Sequence, residues 1–242
     1  MGQPINFSEI FEKINQRGLF QSIKRYSYLP YDMDIALQVV DAIGKKRNPK
    51  FRIDDENKFT YENFIRWVHG DQEMKCLNAD TREVIPGCLT SGIFIAGNTG
   101  TGKSWALDIM AAYTLLDNVQ FSIGENKRCL YWKNFRTDAI CDEYTAEGSF
   151  ERFKKMDIVG FQDLGAEPAE SMYMGNRVNV IRQILEYRGD FSDKITLITS
   201  NLPINHKIFI ERYGDRVSSR LHEMCNYFEI KGIDRRKIYI IN

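Results

Sequence analysis

From Phe51 onward, short apolar runs alternate with stretches of helical spacing, whereas the chain before Phe51 carries only helical patterns. Phe7, Ile10, Phe11 and Ile14 share one face of a predicted amphipathic helix over 6–18, with Asn6 and Glu9 as a capping box and Gly18 as its stop. A second helix is predicted over 34–44, with Ile35, Val39, Val40 and Ile43 inward. The polar, basic run GKKRNPKFR (44–52) then suggests a boundary between an N-terminal helical segment, 1–50, and a main domain, 51–242.

Within that domain Thr60 is expected to cap a helix carrying Phe64, Ile65, Trp67 and Val68 and ending near Gly70. Strands are predicted at GIFIAG (92–97), CLYW (129–132), IVGF (158–161) and ITLITS (195–200), with helices at 104–116, 137–147 and 176–188. Two short helices, 208–213 and 216–224, precede the terminal strands YFEI and KIYII. This alternation predicts an α/β fold, a mostly parallel sheet covered by helices on both faces.

Composition narrows the function classes. Among 242 residues, Lys+Arg and Asp+Glu both number 33, so attraction to nucleic acid would have to come from local patches. Lys45, Lys46, Arg47, Lys50 and Arg52 form one such patch, which suits either a DNA backbone or a solvated surface. Cys76, Cys88, Cys129, Cys141 and Cys225 are scattered, with no Cys-x-x-Cys pair, which argues against a zinc knuckle or a disulfide framework and for a reducing compartment. No apolar run approaches the roughly 20 residues of a membrane helix, and no leader pattern opens the chain, so a cytoplasmic protein without membrane contact is expected. The opening MGQPIN fails the acylation pattern because Asn6 stands where Ser or Thr is needed.

The turn GNTGTGKS (97–104) fits G-x-x-x-x-G-K-[ST] between a predicted strand and a predicted helix. Gly97, Asn98, Thr99, Gly100, Thr101 and Gly102 would curve the backbone so that amide N–H groups surround a phosphate, aided by the positive end of the helix. Lys103 would reach the terminal phosphates, and the Ser104 hydroxyl would ligate Mg²⁺. ATP and Mg²⁺ are the implied ligands. The loop alone does not separate an ATPase from a small-molecule kinase.

Four other features bear on that choice. The strand at 158–161 runs into Gln162-Asp163-Leu164-Gly165, with Glu167 beyond, where P-loop ATPases carry acids that hold the metal and orient water. The strand at 195–200 ends at Asn201, placed to sense the γ-phosphate. Arg216 and Arg220, four apart in ERYGDRVSSRLHEM, share a helix face and suggest a finger aimed at a neighbouring subunit's nucleotide. The basic cluster Gly232-Ile233-Asp234-Arg235-Arg236-Lys237 could fold back over the nucleotide.

In order, GNTGTGKS, QDLGAEP, a helix ending LEYR, TLITSNLP, YGDRVSSRLHEM and GIDRRK resemble the DnaC/IstB-like branch of AAA+ ATPases across residues 51–242, in the version carried by phages and mobile elements. The resemblance implies that Lys103 and Ser104 bind phosphate and magnesium, Asn201 is the first sensor, Arg220 the arginine finger with Arg216 its rival, and Arg236 the arginine closing the C-terminal motif. It implies DNA, single- or double-stranded, a replicative helicase or a transposase, and a ring or spiral of copies as partners. The N-terminal segment would grip the helicase, unless its apolar face packs on its own core.

Asp163 falls on the second acid of that family's acid-acid-Leu-Gly sequence, and Gln162 on the first. Gln162 keeps an acceptor oxygen and loses the charge, so Mg-ATP binding should survive and hydrolysis should suffer. Because neighbours on a continuous strand point to opposite faces, Asp163 could take over only if the strand ends or loosens there. A transposition regulator, a scaffold that holds ATP structurally, and a small-molecule kinase are the alternative readings.

Overall fold

In the computed structural model, which describes Asn6, Ser8 and residues 21–235, the wholly buried run Gly92–Ala96 (β4) lies within a seven-stranded sheet. Ile195–Ser200 (β11) and Cys225–Glu229 (β12) flank it, both parallel to it. Ile158–Leu164 (β8) and then Asn134–Arg136 (β7) continue the parallel array beyond β11. On the far side of β12, Lys75–Leu77 (β2) and Val84–Pro86 (β3) finish the sheet antiparallel. The fold is therefore α/β, with the mostly parallel sheet expected.

Alternation along β4 divides the core in two. Ile93 and Ile95 join one cluster, and Phe94 and Ala96 the other. Over the first lie Met33–Arg47 (α1), Lys58–His69 (α2) and Lys103–Tyr113 (α3), contributing Val40, Phe64 and Leu107. Over the second lie Thr137–Glu147 (α4), Glu151–Lys155 (α5), Val180–Gly189 (α6), Lys207–Tyr213 (α7) and Asp215–Met224 (α8), contributing Ile140, Phe153, Ile184, Phe209 and Val217. Arg188, fully buried near the end of α6, donates to the carbonyls of Phe153, Lys154, Met156 and Ile195 and to the Thr196 hydroxyl, tying α6 to α5 and β11.

Several elements differ from their sequence patterns. The basic run at 44–52 is partly helix, since α1 continues through Arg47; Gly44 lies so close to the Phe51 ring that an added Cβ would overlap it. Val40 and Ala36 are the buried apolar positions of α1, while Ile35, expected inward, is 59% exposed. α2 starts ahead of Thr60, whose hydroxyl instead lies 3.5 Å from the Glu229 carbonyl. CLYW is not a strand of the main sheet. Cys129 ends a hairpin, Gln120–Ile123 (β5) and Asn126–Cys129 (β6), which pairs with Ile23–Arg25 (β1) in a separate antiparallel sheet. Leu130 and Trp132 are buried, with Trp132 stacked on Phe64 at 5.8 Å, so this apolar run fills the core and the ladder strand is Asn134–Arg136.

The helix expected from 176 starts later. Asn176–Val178 (β10) pairs with Ser171–Tyr173 (β9) across a Met174-Gly175 turn in which both residues have positive φ, as a tight hairpin requires. Asn179 then caps α6 by accepting the Arg182 N–H. Of the predicted 6–18 helix, only Asn6, whose Oδ1 accepts the Ser8 N–H, and Ser8 itself are described; the remaining residues of that helix, Arg236 and the KIYII strand lie outside the described residues.

Candidate nucleotide-binding site

The loop between β4 and α3 lies at the carboxyl end of the parallel strands, where open α/β sheets place their ligands. Gly102, with φ of 98°, forms the left-handed N-cap of α3, and Gly100, with φ of 82°, leaves no room for a Cβ beside the Asp234 carboxylate. Lys103 is 4% exposed, and its Nζ donates to the Asn98 carbonyl at 2.7 Å and to Asn201 Oδ1 at 2.9 Å. Thr101 also donates to the Asn98 carbonyl. The Ser104 hydroxyl donates to Asp163 Oδ1 at 3.1 Å. Lys103, Ser104, Asp163 and Asn201, chosen from three separate stretches of sequence, thus line one cavity with Thr99, Gly100, Gly102, Trp105 and Ala166.

The acid-bearing strand resolves the question of faces in an unexpected way. β8 runs past both Gln162 and Asp163, to Leu164. Phe161 pairs with Ile198 and Leu164 with Ser200, so β8 spends one more residue than β11 between those pairs. That is a bulge, and Asp163 sits in it with φ of 61°. The extra residue shifts the alternation, so that Leu164 joins Phe161 in the second core cluster. Gln162 and Asp163 are both left facing α3. The Asp163 N–H donates to the Thr199 hydroxyl, which pins the bulge to β11.

Gln162 uses its amide as a donor. Its Nε2 lies 3.2 Å from the Ser104 carbonyl and 2.8 Å from Asp108 Oδ1. Asp108, one turn along α3 from Ser104, also accepts from Asn134 Nδ2 at 2.6 Å and pairs with Arg47 at the end of α1. Arg136, opposite Gln162 in the sheet register, is held by Asp138 and lies 3.9 Å from Asp163. The Asp138 carboxyl is held below its usual range first by that hydrogen bond from Arg136.

The residues present fit a magnesium ion delivered with phosphates. Two hard oxygen donors, Ser104 Oγ and Asp163 Oδ1, lie within hydrogen-bond distance of each other on the cavity wall. A phosphate-borne Mg²⁺ needs few protein ligands.

Glu167 is otherwise engaged. It is 4% exposed, its Oε2 accepts the Gly165 N–H, and its Oε1 accepts from Tyr213 and Arg212. It fixes the loop after β8 to α7. Arg216 and Arg220 are on α8 as expected, sharing Asp190 as ion-pair partner, and neither lines the cavity. The chain after β12 does return to the glycine-rich loop between β4 and α3: the Arg235 N–H donates to the Gly100 carbonyl at 3.0 Å, and its guanidinium pairs with Asp54. That contact holds the Asp54 carboxyl low, against the opposing effect of its burial.

Asp108, Asn134, Arg47, Arg136 and Thr199 were not apparent as site residues in the sequence. Only Asp108 carried a usable signal, standing four residues after Ser104 and so on the same helix face.

No family model and no curated protein matches the sequence. Among solved structures, the chain is similar to the DnaC helicase loader at 16% identity and a TM-score of 0.46, over 76% of this chain and 95% of that one. It is similar to domain III of the Thermotoga maritima replication initiation protein DnaA at 17% identity and a TM-score of 0.48, over 75% and 65%. It is also similar to AMPPCP-bound DnaA from Aquifex aeolicus at 16% identity and a TM-score of 0.45, over 74% of this chain. The match spans 48%, about half, of that DnaA.

Proposed function

We propose that this chain binds Mg-ATP and acts as a cytoplasmic, helicase-loader-like AAA+ replication factor, with the nucleotide governing self-association into a ring or spiral and the grip on DNA and a replicative helicase. One observation carries the reading: Lys103, Ser104, Asp163 and Asn201 converge on a single cavity at the carboxyl edge of the sheet. A lysine and a helix N-terminus would hold the phosphates, Ser104 and Asp163 would hold the ion, and Asn201 would report the terminal phosphate. When bound, the ion would neutralise charge developing on the phosphates.

In this reading hydrolysis is slow. The Gln162 amide is engaged by Asp108 and Ser104, so one carboxylate, Asp163, must serve both the ion and the attacking water. The same observation favours a second reading, in which ATP is held with little turnover and serves to order the protein. Arg220 is the proposed finger, acting on a neighbour's nucleotide once released from Asp190, with Arg216 as its rival. Arg236 is the proposed closing arginine. Residues 1–50 are the proposed partner-facing segment and 51–242 the ATP-binding domain.

Mass measurement with and without ATP and single-stranded DNA tests the proposal, comparing the parent with Lys103→Ala and Arg220→Ala. Assembly should need ATP and be lost in both variants. If ATP causes no assembly of the parent, the shared-site mechanism is wrong. Capture of a transposase in place of a replicative helicase would move the assignment to a transposition regulator.

A further inference from the structure

Resting on the nucleotide reading above, we infer that Trp105 is the base-stacking residue of the site and makes it selective for purine nucleotides over bare polyphosphates. Ser104 turns its hydroxyl toward β8 and Asp163. Trp105, the next residue, lies about 100° further round the helix, and its ring meets Phe51 at a centroid distance of 6.3 Å and an interplanar angle of 51°. The cavity therefore has two unlike walls. Asp163 and Asn201 form a polar one, and Trp105 forms an aromatic one.

A triphosphate whose terminal group lies between Lys103, Asp163 and Asn201 runs back along the start of α3, and its sugar and base leave on the Trp105 side. The indole is braced there. Phe51 packs against Tyr61 edge-on at 5.7 Å and against Gly44, where no side chain larger than hydrogen fits. Trp105 is only partly buried and borders the cavity, so it has surface left for a partner ring. A base stacked on an aromatic side chain gains binding that any base can use, and the larger purines use more of it.

The chain carries its own reporter. Of its three tryptophans, Trp67 and Trp132 are 0% and 2% exposed, so a nucleotide-dependent change in indole emission is assigned to Trp105. The experiment titrates the full chain with Mg-ATP, Mg-UTP and magnesium tripolyphosphate, following emission and heat in parallel. ATP should change the emission, tripolyphosphate should bind without changing it, and UTP should bind more weakly than ATP. Trp105→Ala should weaken ATP on the order of 10-fold while leaving tripolyphosphate unchanged, and Trp105→Phe should restore most of the loss.

Equal ATP affinity in the parent and Trp105→Ala, or saturation by ATP with unchanged emission, overturns the inference while leaving the phosphate site intact. Absence of heat with both ATP and tripolyphosphate would instead overturn the nucleotide reading itself. Circular dichroism and thermal midpoints of the variants separate lost stacking from lost fold.

Discussion

The Gln162 amide donates to the Asp108 carboxylate at 2.8 Å, and Asp108 is held in turn by Asn134 and Arg47. The carboxylate beside Gln162 therefore stands on the facing helix. Placing an acid at 162 would bring a second carboxylate near Asp108 and remove a donor from it. Gln162→Asp is expected to lower stability by about 1–3 kcal/mol. Adding Asp108→Asn should recover most of the stability, because an amide again faces a carboxylate. Denaturant midpoints of the single and double variants check this; a Gln162→Asp protein as stable as the parent would refute it.

Asp163 is the carboxylate on which ion binding and hydrolysis depend in the proposed mechanism. Its φ of 61° is one that Asn adopts about as readily as Asp, so Asp163→Asn should fold normally. The change removes the charge while keeping the bulge and the Thr199 contact. ATP turnover should fall by roughly 10 to 100-fold, with a matching rise in the Mg²⁺ concentration needed for half-maximal binding. Asp163→Ala should add a loss of stability, from the strained backbone and the orphaned Ser104 hydroxyl. Magnesium titrations followed by calorimetry distinguish the two variants.

How much of this was legible in the sequence varied with the locality of its cause. The glycine-rich loop before α3, the span of α4 and that of β11 are legible because each has a local cause: glycines before Lys103, Gly148 as a left-handed stop to α4, and in β11 a run of Ile, Leu and Thr that is buried throughout. Misreadings arose where a distant partner decides. Leu130 and Trp132 look like a buried strand but are drawn into the core by Phe64 and Trp67. Asn176 to Val178 continue a helical pattern on paper and are captured by β9. The bulge that turns Asp163 toward Ser104 follows from its pairing with β11, through the Thr199 hydroxyl and the Leu164–Ser200 register, and strand periodicity alone predicts the opposite face.

Acid should destabilise the protein through His69. Its ring is 4% exposed, stacks on Tyr31 at 4.1 Å and has Nε2 2.7 Å from the Tyr113 hydroxyl. Burial holds its pKa below the ordinary 6.5, outweighing the raising effects of the Tyr28 backbone, Asp117 and Asp71. The unfolded chain therefore binds this proton at a higher pH than the folded one does. Stability is full above about pH 6.5 and declines as pH falls below it, until the folded ring also titrates. Unfolding free energies at pH 7.5 and 5.5 should differ more in the parent than in His69→Gln, which keeps a hydrogen-bonding group beside Tyr113 without the titration.

The Glu167 contacts give the sharpest link between packing and the site. This buried carboxylate accepts from Gly165, Tyr213 and Arg212, and so fastens the segment that follows Asp163 to α7, with α8 and its arginines next in the chain. Burial and the adjoining carboxylate push the Tyr213 hydroxyl's pKa far up, so it remains a donor at any working pH. Tyr213→Phe removes that donor while keeping the ring that packs on Phe209 at 4.7 Å. The cost should be about 1–3 kcal/mol, the usual penalty for a buried polar group left short of a partner. Because Ala166 lines the cavity between Asp163 and Glu167, the loosened segment should also weaken ATP binding, and bound ATP should offset part of the lost stability. Thermal midpoints of parent and variant across an ATP titration measure both effects. A variant that loses stability yet binds ATP with the parent's affinity would show that Glu167 fastens α7 without shaping the nucleotide site.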